Sequence, residues 1–255
     1  MMNFRELAGS VLLILIFNLV IAVNTSAQDA AEIIEKMEET MRGHSSYAEM
    51  TMIIERPRFT REVSMRSWSL GNDYSLIQIT APARDQGTTF LKRNNEIWNY
   101  VPNIDRTIKM PPSMMSQSWM GSDFTNDDLV RESSTVDDYE HRILQEDVVE
   151  GRTAWVIELI PKPESPIVWG KVLMWVDQEE FFQLKVENYD QRDELANRLD
   201  FQELKMLGQR FIPSKMILTP TDRPDQRTIL IYNDLQFDID IDPSFFTQQN
   251  MRRVR

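Results

Sequence analysis

Residues 61–80 read REVSMRSWSL-GND-YSLIQIT, and this stretch decides the architecture. Two period-two runs, Arg61–Leu70 and Tyr74–Thr80, flank the turn signal Gly71-Asn72-Asp73, which is how an antiparallel hairpin is written. The pattern continues in both directions. Ser45–Arg56 is a strand upstream, and Thr88–Arg93, Glu96–Val101 and Arg106–Met110 follow downstream. Then come Glu140–Val149, Thr153–Ile160, Gly170–Val176, Phe182–Tyr189, Asn197–Leu207, Phe211–Thr219 and Arg227–Phe237. Turn residues separate them at Asn94-Asn95, Glu150-Gly151, Asp177-Gln178-Glu179 and Asp222-Arg223-Pro224. Hairpin after hairpin makes a meander, and one long twisted sheet of that kind closes into a barrel or curls around something. Strand–helix alternation and a Gly-rich phosphate loop are both missing, which excludes Rossmann and doubly wound folds.

Ahead of the strands, Asp29–Arg42 reads as one helix. Ile33, Ile34, Met37 and Met41 recur at helical spacing, Asp29 stands at the cap, Glu32 suits the first turn and Gly43 stands where a C-cap glycine belongs. The fold expected is mainly β with few helices: a half-open antiparallel barrel with an N-terminal helix and a helical or loop lid.

The lid is the run KMPPSMMSQSWMGSDF, Lys109–Phe124. Pro111 and Pro112 break any strand there, so the run is an insertion between strands. Met110, Met114, Met115, Trp119, Met120 and Phe124 give it the repackable apolar surface that covers a cavity accepting varied shapes. Two readings follow: a core-covering loop whose methionines fill gaps, or a ligand-gating lid with Gly121 as hinge and Ser122-Asp123 beside it. Trp68, Phe90, Trp98, Tyr100, Trp155, Trp169, Trp175 and Phe182 lie on strands and are expected on the inner face. Of these, Phe90, Trp98, Tyr100, Trp155 and Trp175 are the candidate cavity residues. A barrel this size is either packed solid or holds one ligand. The shortage of helices to fill the concave face, and the size of the insertion, favour a cavity.

The N-terminus reads as a secretory signal: Arg5, the apolar stretch Val11–Val23 broken by Asn18, then Asn24-Thr25-Ser26-Ala27 with small residues for cleavage after Ala27. An uncleaved anchor is the alternative, although the run is short for a membrane span. The expected organisation is a signal peptide at 1–27 and a single domain at 28–255, exported to the periplasm. With no cysteine the chain has neither a disulfide framework nor a lipidation cysteine. A formal charge of −12 argues against nucleic acid and against charge-driven adsorption to anionic lipid.

Catalytic chemistry is thin. Two histidines, His44 and His141, and no cysteine leave no His/Cys metal cluster, and no G-x-S-x-G elbow is present. Acidic groups recur at Asp123, Asp127, Asp128 and Glu132, and at Asp234, Asp238, Asp240 and Asp242. Paired carboxylates suit glycoside hydrolysis and bent acidic loops suit calcium. The simpler reading makes the C-terminal acids the polar face of a strand, and lets Asp123 to Asp128 cap a short helix beginning near Asn126. No enzyme, metal or cofactor is expected.

Several motifs, taken in order, resemble one family. R-D-Q-G-T-T-F-L-K from Arg84 to Lys92 is followed by W-N-Y-V-P from Trp98 to Pro102, and the insertion ends in Gly121-Ser122-Asp123-Phe124. Asp127-Asp128-Leu129, Tyr189-Asp190 and Phe245-Phe246-Thr247 complete the series. This order resembles the LolA-like outer-membrane lipoprotein-sorting proteins, in the branch carrying a G-S-D-F segment. The resemblance implies a LolA/LolB-like half-open barrel with an apolar cavity for acyl chains, working in the periplasm; a monomer is expected, although the sequence does not fix the oligomeric state. It further implies a carrier that receives a lipoprotein from an inner-membrane ABC exporter and passes it to an outer-membrane acceptor. Members of this branch also associate with RND-type exporters, which makes another lipid the alternative cargo and a non-transferring accessory module of an exporter the alternative role. A strand arginine that holds the lid shut is implied too, with Arg61 and Arg66 as candidates.

Overall fold

The computed structural model describes residues 29–131, 134–163, 165 and 167–254; the expected signal peptide lies outside them. Helix α1 spans Ala30–Arg42. The Asp29 side chain accepts the Ala31 N–H at 3.1 Å, and Lys36 pairs with Glu32 one turn back at 2.8 Å. Gly43 ends the helix at φ +63°, donating its N–H to the Glu39 carbonyl. Ile33, Ile34 and Met37 lie on one face, fully buried.

Thirteen strands follow. They are β1 (Ser45–Arg56), β2 (Phe59–Leu70), β3 (Tyr74–Ala81), β4 (Thr89–Arg93), β5 (Glu96–Val101) and β6 (Arg106–Lys109), then β7 (Tyr139–Val149), β8 (Arg152–Pro161), β9 (Lys171–Asp177), β10 (Gln183–Tyr189), β11 (Leu195–Leu207), β12 (Arg210–Pro220) and β13 (Arg227–Phe237). All pair antiparallel in one sheet, in the order β6-β5-β4-β3-β2-β1-β13-β12-β11-β10-β9-β8-β7. The chain therefore starts at the centre with β1 and walks out to one edge at β6. It then crosses to the opposite edge at β7 and walks back until β13 closes against β1. Residues 110–138 make that crossing. Because β6 and β7 are the two free edges of a curled sheet, the segment joining them has to span the open side. Register slips in β1 after Glu49, in β7 after Ile143 and in β10 after Asn188 add bend to the ordinary strand twist.

The concave face carries two apolar clusters. One lies on β1–β5 and β11–β13 beneath the insertion, where Met52, Ile54, Val63 and Ile79 are buried. The other lies on β8–β11 beneath α1 and contains Ile157, Leu159, Met174 and Phe201. The convex face of β2–β5 has a cover of its own, made by the C-terminal segment through Phe245, Phe246 and Met251. The run of acids near the C-terminus does not continue the last strand. β13 ends at Phe237; Asp238 accepts the His44 N–H and pairs with Arg210, and Asp242 caps a short 3-10 turn.

Candidate binding cavity and its cover

Alternation decides which side chains reach the concave face. On β5, Ile97 points inward, so Trp98 and Tyr100 point outward. Both pack with Trp68 against the C-terminal segment, and neither reaches the cavity that was expected of them. On β9, Met174 and Val176 take the inward positions, and Trp175 is likewise turned outward. Its Nε1 donates to Asp147 Oδ2 at 2.8 Å and Lys185 Nζ stands 3.5 Å above its ring. That indole bond is the leading reason the Asp147 carboxyl is held below its ordinary range. Phe90 and Trp155 do face inward. Phe90 lies beneath the insertion, and Trp155 stacks on Phe181 at 5.5 Å beside α1.

The insertion is folded down. Met110, Met115, Trp119 and Phe124 are buried in the concave cluster, with Met114 and Met120 half-buried against it. Trp119 is fully buried and meets Phe90 at 5.4 Å between ring centroids. Its tip is a miniature hairpin. Trp119 N–H donates to Phe124 O at 2.8 Å, Ser118 bridges Thr125, and the Ser122 hydroxyl closes the turn on Trp119 O at 2.7 Å. Met120 and Gly121 turn the chain at φ +50° and +80°, conformations glycine adopts freely and methionine does not. The short helical segment beyond is capped by Thr125, not by Asp123. Thr125 Oγ1 accepts the Asp128 N–H while Asp128 Oδ2 accepts the Thr125 N–H, a reciprocal box.

Asp123 has a different task. Its Oδ2 takes hydrogen bonds from Arg56 Nη1 at 2.9 Å and from the Thr228 hydroxyl at 2.7 Å, and its N–H reaches the same hydroxyl. Arg56 also donates to Gly121 O at 3.0 Å. Arg61 donates to Met120 O at 2.8 Å and pairs with Asp85. Two strand arginines thus clasp the hairpin tip to the sheet. Arg61 was one of the two expected candidates; Arg66 lies opposite Glu49 and touches no part of the insertion among the described residues. Arg56 was missed, although its position at the end of β1, just before Pro57, was visible.

Between α1, the end of the insertion and the sheet remains a cavity of about 330 Å3. Met37 and Met41 wall it from α1, and Phe124 and Leu129 from the insertion. Met50, Met65, Leu199 and Met216 line its floor. Of Met110, Met114, Met115, Trp119, Met120 and Phe124, Phe124 alone borders this space; the others fill the neighbouring half of the concave face.

The geometry matches known structures. A domain described as an outer-membrane lipoprotein-sorting protein, from Vibrio parahaemolyticus, superposes with a TM-score of 0.78 at 26% identity, over 88% of this chain and 98% of that one. The chain has the LolA-like fold. A DUF1329 family protein from Desulfovibrio piger gives 0.79 at 23% identity, over 87% and 97%. A LolA superfamily protein from Nitrosomonas europaea gives 0.76 at 23%, over 88% and 99%. A family model described as uncharacterized-protein-like matches residues 71–253. No curated protein sequence matches the chain.

Proposed function

We propose that the protein is an exported, periplasmic carrier that holds an acyl chain between α1 and the concave face, with the insertion as a displaceable cover. One observation carries this reading: a ready cavity of about 330 Å3 adjoins a Met- and Trp-rich insertion that fills the rest of the concave face. That volume is at the small end of ligand pockets, about 300–1,000 Å3, and suits one chain. A second chain needs the space now occupied by Trp119, Met115 and Met110.

The affinity balance favours such an arrangement. A chain of about fifteen methylenes buried dry gains on the order of 12 kcal/mol, and two or three would never leave. Displacing a well-packed insertion offsets part of that gain, and methionine repacks at little cost. Binding rather than catalysis is the activity proposed. Acids at the cavity margin serve structure: Glu38 accepts the Thr135 N–H at 2.7 Å and Asp128 accepts the Thr125 N–H. Delivery from an inner-membrane exporter to an outer-membrane acceptor is the role proposed, and likeness to a lipoprotein-sorting domain from Vibrio supports it.

The test is titration of mature protein with a fluorescent acyl probe, followed by acceptor vesicles. Uptake, loss of uptake in a folded Ala48→Phe variant that fills the cavity, and hand-over to vesicles are the expected results. Uptake without hand-over would replace the carrier with a non-transferring module of an RND-type or ABC exporter. No uptake would end both.

A further inference from the structure

The cavity has one wall that an acyl chain does not need. Across β1, β2 and β3, Ser46 stands opposite Ser69 and Ser69 opposite Ser75, a serine row running straight over three adjacent strands. Ser67 adds a fourth hydroxyl one inward position along β2. These positions share the concave register with Met50, Met65 and Ile77, so the apolar floor gives way to hydroxyls at one end. Ser46 and Ser69 bond each other at 2.7 Å. Ser75, only 4% exposed, and Ser67 line the same cavity, and neither side chain is hydrogen-bonded to a described residue. Four hydroxyls facing one cavity, two of them bonded to each other, offer donors and acceptors that a plain hydrocarbon ligand would leave unused.

The charges around the cavity narrow the ligand. Among the described residues its lining carries three acids, Glu38, Asp127 and Asp128, and one cation, Arg42; Arg42, Asp127 and Asp128 are each already engaged. An anionic head, whether carboxylate or phosphate, would meet more acids than bases among these lining residues and no cation that is free to pair with it. Hydroxyls both donate and accept, and so suit a head that does the same.

We propose that the cavity selects a single-chain amphiphile with an uncharged, hydroxyl-bearing head, which the row Ser46, Ser69 and Ser75 together with Ser67 binds while the chain lies on the methionine floor. The inference rests on the carrier reading and names its ligand class. The experiment compares a monoacylglycerol, the fatty acid and the lysophosphatidylglycerol of one chain length, each displacing a fluorescent acyl probe at low ionic strength. The monoacylglycerol should bind about tenfold tighter than either anion, the equivalent of one or two net hydrogen bonds. Ser67→Ala/Ser75→Ala should erase that preference, bringing the monoacylglycerol down to the level of the fatty acid. A thermal melt confirms that the variant is folded, and Ser69→Ala provides an independent second removal. Equal binding of the three, or tighter binding of an anion, overturns the proposal while the carrier reading stands. Binding of none, with no probe uptake, overturns both.

Discussion

Replacing Trp119 with alanine should tighten cargo binding. Trp119 is fully buried, stacked on Phe90, and central to the contact between the insertion and the sheet. Truncating a buried tryptophan costs about 3–5 kcal/mol. The lower end applies here, because Trp119 Nε1 is buried with no hydrogen-bond partner among the described residues, and removing it relieves a penalty already present. About 3 kcal/mol is therefore the seating energy at stake. If cargo must displace the insertion, that energy is subtracted from binding in the wild type and restored in the variant. At about 1.4 kcal/mol per tenfold, affinity for a two-chain acyl probe, whose second chain needs the space of Trp119, should rise by up to about 100-fold, mostly as slower release. The assay is a fluorescence titration with stopped-flow dissociation, alongside circular dichroism to confirm the fold. Unchanged affinity and release in a folded variant would refute competition between insertion and cargo.

The clasp should loosen locally. Arg56→Ala leaves Asp123, whose side chain is 2% exposed, without its cation, and should destabilise the closed tip by about 3–5 kcal/mol, seen as faster hydrogen exchange over residues 115–126. Arg61→Ala, whose pair with Asp85 is more exposed, should cost about 1 kcal/mol or less in the same measurement. Gly208 turns at φ +53°, and an added Cβ would lie 2.6 Å from Phe237 and 2.8 Å from Leu235 O, so Gly208→Ala should cost about 1–3 kcal/mol in chemical denaturation. Asp177 gives an acid dependence. Burial pushes its carboxyl up, but the Arg152 fork and the Glu179 and Glu180 N–H groups outweigh burial and hold it below its ordinary value. Its stabilisation is full above the unfolded-state value near 3.9 and is lost as pH falls through the lower folded-state value. The melting temperature should therefore drop below about pH 4, and Asp177→Asn should flatten that drop while lowering stability at pH 7.

Most of the fold was legible because period-two patterning and turn chemistry are local. Ser45–Arg56, Glu96–Val101 and Arg227–Phe237 match β1, β5 and β13 residue for residue, and the other strands differ by a residue or two at their ends. Facing was the harder problem. Large aromatics drew the reading inward at Trp98, Tyr100 and Trp175, although their neighbours Ile97 and Met174 had already claimed the inward register. A convex face covered by the C-terminal segment needs its own aromatics, and nothing local announces that second cover. Composition exposed the insertion, but its arginine clasp joins Arg56 to Asp123 across 67 positions of sequence, beyond any local pattern. The serines were readable in principle: Ser67 and Ser69 continue the alternation of Val63 and Met65, and only their polarity disguised them as outward residues.

The most direct test of the account is native mass spectrometry of mature protein purified from a Gram-negative periplasm, followed by organic extraction. The account predicts a bound species in the mass range of an acyl-bearing molecule, released by extraction and restored by adding it back. A clean unliganded mass, together with no uptake of an acyl probe, would mean that the concave face is simply a packed core, and would contradict the central claim.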